Sequence, residues 1–380
     1  MPATDNSGTT PAVKRFPCAQ CGAELHYAPG TATLRCAHCG YENRITPSTA
    51  PVRELDFQQV VAELAAHESH RESQQESIIN HCDACGAEYT FDPALHADTC
   101  PFCGSAAVAG TTRHRHLPVN ALLPFAVPAG QARDLFRRWL RRLWFAPGKL
   151  KRYGRDDSKL TGMYIPYWTY DAATVTTYEG MRGDYYQVPE SYQTVENGRT
   201  VIRTRMVTKI RWSSAAGTVA RDFDDVLVLA GQTLSRYLAE ELEPWDLHHV
   251  QPYQDEYLSG FRSEMYRLDP AQGFDRAREI MARTIDMDVA RDIGGDQQRI
   301  GRLDTRYGHI HCKHILLPIW VSAFRFGNKT YRFLVNGRTG EVQGERPYSP
   351  WKITVAIVVG IVVIMVLVWL AGQQGRYAPL

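Results

Sequence analysis

Eight of the nine cysteines fall in four C-x-x-C pairs: Cys18/Cys21, Cys36/Cys39, Cys82/Cys85 and Cys100/Cys103. They form two units of one design, "CAQCGAELHYAPGTATLRCAHCG" over 18–40 and "CDACGAEYTFDPALHADTCPFCG" over 82–104, offset by 64 positions. Each reads C-x2-C-x14-C-x2-C. Thiolates are soft donors, each C-x-x-C turn presents two, and four of them at about 2.3 Å close a tetrahedron around zinc. Cys18, Cys21, Cys36 and Cys39 are therefore expected to hold one zinc ion, and Cys82, Cys85, Cys100 and Cys103 a second. Four thiolates leave no position for a water or a substrate, so both ions are expected to be structural. His38 and His81 lie beside the ligands without being needed.

The spacing also dictates what must position the sulfurs. A Gly follows the second Cys of every pair (Gly22, Gly40, Gly86, Gly104), where the chain leaves the turn at positive φ. The fourteen-residue interval suits a β-hairpin. In the first unit "AELHY" and "TATLR" flank a Pro29-Gly30 turn, and in the second "AEYTF" runs into Asp92-Pro93. Two tandem zinc ribbons follow, over 15–46 and 78–112. Such small units bury little, so metal binding is expected to supply most of their folding free energy.

Charge bears on what they touch. The first ribbon sets Arg15, Arg35 and Arg44 against Glu24 and Glu42; the second has Asp83, Glu88, Asp92 and Asp98 and no Lys or Arg. Phosphate binding requires cations that displace counterions. The second ribbon has none, which favours protein-contact or structural roles over nucleic acid. No charge signal comes from the whole chain, at +2.

Other chemistry is sparse. "GHIHCKH" at 308–314 invites a metal reading, but on a strand His309 and His311 share one face and Cys312 and His314 the other. There is no G-x-x-x-x-G-K-[ST], no H-E-x-x-H and no G-x-S-x-G. No enzyme and no small-molecule substrate are expected. Arg133, Arg137, Arg138, Arg141, Arg142, Lys149, Lys151, Arg152 and Arg155 cluster in a short stretch. The helix expected over 130–145 carries an apolar stripe of Leu135, Phe136, Trp139, Leu140, Leu143 and Trp144. That helix could pack its stripe on the body, lie on anionic lipid, or meet nucleic acid.

The remaining organisation follows from pattern. Residues 1–14 are polar, expected to be disordered, and lack the apolar core of a secretory signal. Paired cysteines therefore read as metal ligands rather than disulfides. A short helix over 57–67, capped by Asp56, leads into a linker, the segment spanning 47–77. An α+β domain is expected over 113–350. It contains a hairpin around Asn197-Gly198, helices over 232–243 and 270–290 (the second capped by Asp269), and a terminal meander turning at Gly327-Asn328 and Asn336-Gly337. Within it "YIPYWTY" at 164–170 resembles "LLPIWVS" at 316–322, read as two similar strand entries into one core or else a duplicated binding site. Residues 353–371 run without a charge for roughly 28 Å of helix, enough for a transmembrane span, with a short outer tail at 372–380. Arg338, Arg346 and Lys352 upstream outweigh Arg376 downstream, which places the N-terminal bulk in the cytoplasm, on a single-pass inner-membrane anchor.

The order of parts (CxxCG ribbons, "LLPFAV", "WLRRLWFAPGKLK", "GMYIPYWTYDA", "LLPIW", "NGRTGEVQGERPYS" and a final span) resembles a family of bacterial zinc-ribbon membrane proteins similar to YdjG of bacilli. Its members are often labelled primosomal-helicase (PriA)-like or TFIIB-type zinc-ribbon proteins. The missing nucleotide-binding motif argues against a helicase. The resemblance implies a membrane-associated scaffold, with SPFH (flotillin-like) and PspA-like envelope-stress proteins as partners. It supplies no catalytic residues. The expectation is thus a zinc-binding adaptor at the cytoplasmic membrane face, the alternative a membrane-tethered nucleic-acid binder related to replication or transcription.

Overall fold

The computed structural model describes residues 16–67, 75–82, 87–90, 97–103, 105–108, 112–144, 150, 160–196, 199–326, 329–345, 348 and 350–374. The first cysteine unit contributes β1 (Leu25–Tyr27), β2 (Thr33–Cys36) and β3 (Glu42–Arg44), an antiparallel sheet in that order. Strand β4 (Leu55–Asp56) leads directly into α1 (Phe57–His67), whose Gln59 N–H donates to the Asp56 carboxylate at 2.9 Å. Around the second unit come β5 (Gln75–His81), β6 (Glu88–Thr90), β7 (Ala97–Thr99), β8 (Ala106–Val108) and β9 (Thr112–His116). Strands β5 and β9 pair with each other, Gln75 opposite His116 and Ile79 opposite Thr112, and carry the cysteine unit between them.

The body follows: β10 (Ala121–Leu122), α2 (Ala129–Arg142), β11 (Thr161–Glu196), β12 (Arg199–Leu229), α3 (Arg236–Glu240), β13 (Gln251–Pro252), β14 (Arg262–Ser263), α4 (Pro270–Ile293), β15 (Gln297–Phe326), β16 (Lys329–Asn336) and β17 (Val342–Gly344). One nine-stranded sheet, with the order β12-β11-β15-β10-β13 along its main path, dominates it. The body is therefore largely a β-sheet core with helices packed on it, more β-rich than a balanced α+β domain. Helix α5 (Pro350–Gln374) is the last described element; its residues Trp351–Leu370 are long and apolar enough to cross a membrane, and none of that stretch is buried.

Local chemistry explains where elements start and stop. Asp269 caps α4 through the Gln272 N–H at 2.8 Å, and Pro270 at the first position needs no donor. The helix expected over 232–243 shrinks to α3, because Ser235 caps it at Leu238 N and the chain turns before Pro244. Asn336-Gly337 opens no two-residue hairpin. The Asn336 side chain instead accepts from Arg338 N and Thr339 N at 2.8 and 3.0 Å, and the turn closes at Glu341. The strands expected within 190–212 are parts of far longer ones, since β11 and β12 pair continuously from Tyr167↔Leu229 to Glu196↔Arg199 apart from one bulge. The turn residues 197–198 and 327–328 themselves lie outside the described residues.

The Pro-x-Trp resemblance marks a pseudo-twofold. Strands β11 and β15 pair antiparallel with Pro166 opposite Leu316 and Pro318 opposite Tyr164, so the two motifs are related by rotation about the point between them. Flanking elements obey the same rotation. Strand β10 pairs parallel to β15 (Leu122↔Leu316) as β14 pairs parallel to β11 (Ser263↔Tyr164). Each short strand leads to a helix, α2 with N-cap Pro128 and α4 with N-cap Asp269, six residues after Leu122 and Ser263 respectively. Each motif Trp then anchors its helix: Trp168 Nε1 donates to Leu268 O at 2.8 Å, and Trp320 Nε1 to Val127 O at 2.9 Å. The body is two copies of a strand–helix–strand–strand unit, joined through their Pro-x-Trp strands.

Candidate metal centres and their seats in the body

In the first unit the four sulfurs lie within 4.8 Å of one another, with Cys18–Cys39 and Cys21–Cys36 both at 3.6 Å. Sulfurs bound to one metal at about 2.3 Å in a tetrahedron stand about 3.8 Å apart. The donor set and its spacing fit a four-thiolate metal ion. Backbone geometry fixes the set: Cys18 N donates to Ala23 O at 2.7 Å and Cys36 N to Tyr41 O at 2.8 Å, folding each C-x-x-C into a tight knuckle. Gly22 and Gly40 leave those knuckles at φ 75° and 76°. The backbone N–H of Cys39 lowers the Cys36 thiol pKa, while burial and the neighbouring sulfurs push Cys39 up to about 12, so without a metal the four thiols ionise unequally.

The second unit repeats the knuckles at the 64-residue offset, Cys82 N to Ala87 O and Cys100 N to Ser105 O, both at 2.8 Å. Cys82, Cys100 and Cys103 converge within 4.8 Å, with Cys82–Cys103 at 3.6 Å. Cys85 lies outside the described residues, as do Gly86 and Gly104. Sequence reasoning missed Ser105, whose hydroxyl stands 2.9 Å from Cys103 Sγ and 3.3 Å from Cys82 Sγ, a hydrogen-bond partner for two thiolates.

The ribbons are not beads on a linker. Leu25, Tyr27 and Leu34 are buried in one cluster with Phe125, Tyr257 and Trp320 of the body. Tyr27 OH donates to Phe125 O at 3.0 Å, Gly30 N donates to the same carbonyl at 2.9 Å, and Ser259 Oγ donates to Leu25 O at 2.6 Å. Gly30 sits at φ 81°, and a Cβ there would stand 2.9 Å from Ala126 O. The Pro29-Gly30 turn is thus a docking contact as well as a turn. In the second unit Tyr89 and Phe102 are fully buried in another shared cluster. Tyr89 bridges to Glu264, Glu88 pairs with Arg267, and Arg332 Nε donates to Phe102 O at 3.2 Å. The first ribbon seats on the segment after β10 and on residues 257–260 just before β14, and the second on the segment after β14.

Other titratable groups cluster on the sheet. Lys313 is buried, with Nζ 2.7 Å from Asp225, 3.2 Å from Glu54 and 3.5 Å from Asp171. Asp171, Asp224 and Asp225 could by spacing hold a cation. The Lys313 ammonium already fills that role. Burial alone would lower its pKa; the bond to Asp225 and the charge of Asp171 hold it above the ordinary lysine range. Burial is also the main reason Asp171 is raised. In "GHIHCKH" both Cys312 and His314 are buried, Cys312 against α1 and α4 and pushed up to about 12 by burial; no metal-binding group among the described residues includes them. A groove of about 940 Å³ runs between β12, α3 and α4. Its Arg236 is engaged by Glu240 and Glu279, and Glu264 is buried behind Gly231, with burial raising its pKa to about 7.

The basic helix packs its stripe on the body. Ala132, Phe136 and Leu140 are buried, and Phe136 and Trp139 lie 5.3 and 5.6 Å from Phe333. Trp144 leaves the stripe, because α2 stops at Arg142; it is 76% exposed. Lys149, Lys151, Arg152 and Arg155 lie outside the described residues.

No family model matches the chain, and no solved structure matches it. Among curated proteins it is 26% identical over 261 residues to the uncharacterized protein YdjG of Bacillus subtilis (strain 168), a match covering 65% of this chain and 69% of YdjG. The similarity is distant, and the relative carries no stated activity.

Proposed function

We propose that this protein is a zinc-stabilised scaffold anchored in the cytoplasmic membrane by α5, with its bulk in the cytoplasm, and that it binds protein partners through the β11–β12 arm. At about 3.3 Å per residue, the 36 residues of β11 span roughly 120 Å, far more than a compact core requires. The observation that carries the reading is the outer part of this arm. Strand β15 last pairs with β11 at Gly183, so beyond it β11 and β12 continue as a two-stranded ribbon. One face, holding Tyr185, Val195, Ile202, Met206 and Ile210 among Gln, Ser, Thr and Pro, is free of charge. Val195, Ile202 and Met206 are 68%, 71% and 61% exposed. An exposed apolar face with adaptable polar neighbours suits a protein partner.

This moves the adaptor surface away from the ribbons, whose apolar faces are used against the body. Zinc fits the eight cysteines as a structural ion, with Cys85 completing the second set. SPFH- and PspA-type proteins are the partner classes suggested by resemblance. Nothing in the reading calls for catalysis.

The alternative, a membrane-tethered nucleic-acid binder, draws support from the arm's other face, which carries Arg199, Arg203, Arg205, Lys209 and Arg211. Among them, Arg205 pairs with Glu190 at 2.7 Å and Arg211 stands over the Tyr186 ring at 5.0 Å.

The test is capture of partners from detergent-solubilised membranes by the full chain and by an I202K/M206K variant. Both positions are exposed, so the variant is expected to fold normally. Loss of specific partners supports the reading. An identical partner set removes the arm from it, and salt-sensitive retention of DNA or RNA without protein partners supports the alternative.

A further inference from the structure

The C-terminal end of α2 and the start of α5 meet. Lys352 Nζ, one residue into the apolar stretch Trp351–Leu370, donates to Trp144 O at 3.2 Å. Arg138, Arg141 and Arg142 are exposed on the last turns of α2. Arg137 is paired with Asp134, whereas among the described residues no carboxylate pairs with those three arginines. Trp144 and Trp351 beside them are 76% and 74% exposed.

We propose that Arg138, Arg141, Arg142 and Lys352, flanked by Trp144 and Trp351, form a binding surface for the anionic headgroups of the bilayer that α5 enters. The inference rests on the reading of α5 as a span. If α5 crosses the bilayer from Trp351, then Trp144 lies at the level of the headgroups. At 1.5 Å rise per residue, Arg138 lies about 6 Å along the helix axis from Arg142 at the end of α2. That is within the Debye length of about 8 Å at physiological salt, so all four cations feel the surface. Exposed Trp side chains belong at that level, where one ring edge is apolar and the other wet. The contact is electrostatic rather than insertional. Phe136 and Leu140 are buried against the body, so α2 has no free apolar stripe to sink into lipid. The packing of Phe136 on Phe333 holds the helix that carries the arginines against the body.

Each cation at an anionic surface contributes about a fivefold preference, and three arginines together on the order of a hundredfold. The experiment is reconstitution of the full chain into nanodiscs of phosphatidylcholine and phosphatidylglycerol at 3:1. The detergent-released protein is then examined by native mass spectrometry for retained lipid. The expected result is enrichment of phosphatidylglycerol well above its share, lost in R138Q/R141Q/R142Q and kept in R203Q/R205Q/K209Q, which removes as much basic charge from the arm. Retention of the two lipids in their mixing ratio overturns the proposal, as does undiminished enrichment in the α2 variant. Binding of an oligonucleotide by the same three arginines without lipid preference overturns it in favour of nucleic acid. If the chain does not enter nanodiscs, α5 is no span and both readings fall. If it enters and shows no preference, only the headgroup surface falls.

Discussion

Stripping the metal from the first ribbon should weaken the body, although the body holds none of the eight cysteines. Leu25, Tyr27 and Leu34 are 2%, 4% and 1% exposed, against Phe125, Tyr257 and Trp320. Burying an apolar side chain of this size is worth about 1.5–3 kcal/mol, so the three contribute roughly 5–9 kcal/mol of gross interface burial. A ribbon that unfolds on losing its metal takes this cover with it. The amount is comparable with the whole stability of a typical domain, about 5–15 kcal/mol. At about 2–4 °C per kcal/mol, the lower figure already lowers the body's melting temperature by about 10 °C. The assay is thermal melting of the full chain in detergent, before and after exhaustive chelation, with tryptophan emission as the signal. Trp320 is a suitable reporter, its ring 5.0 Å from that of Phe125. Metal content is measured on the same samples. The reasoning fails if the metal is stoichiometrically gone and the tryptophan transition has not moved. Cys36→Ser should reproduce the loss, and Cys312→Ser, which touches no cysteine cluster, should leave metal content unchanged.

Three further outcomes are expected. Glu264 ionises at about 7 in the folded protein against an ordinary 4.5, because burial disfavours its charge. Its contribution is fully present below pH 4.5 and is lost as pH rises to about 7, a difference of about 3 kcal/mol at 1.36 kcal/mol per pH unit. Glu264→Gln should therefore flatten the pH dependence of the urea midpoint in that window; a variant with the parent's slope would rule out Glu264 as its source. Gly30→Ala forces a side chain into left-handed backbone 2.9 Å from Ala126 O, and should cost about 1–2 kcal/mol or more while leaving metal stoichiometry intact. Lys313→Met leaves Asp171, Asp225 and Glu54 around a site with no cation, and should cost about 3–5 kcal/mol in denaturant titration. The loss is expected to shrink toward acid pH, as burial already raises Asp171 and eases its protonation.

The cysteine spacing determined the knuckles and the convergence of the described sulfurs, because ligand chemistry and tight turns act over a few residues. Local rules likewise fixed α1 at Asp56, α4 at Asp269 and an apolar helix as the last described element. Tertiary structure decided what those elements are for. Tyr27, Gly30, Tyr89 and Phe102 look like ordinary hairpin residues, yet they seat the ribbons on a body 95 or more positions away from the first of them, through contacts no local pattern encodes. Trp168 and Trp320 hinted at a repeat, but only strand register turned the hint into a pseudo-twofold, because pairing is a choice between distant segments. The charges of the two ribbons favoured protein-contact or structural roles, and only the fold showed that their apolar faces are buried against the body. Burial follows from the cover a neighbour provides, and the neighbour is known only once the chain has folded.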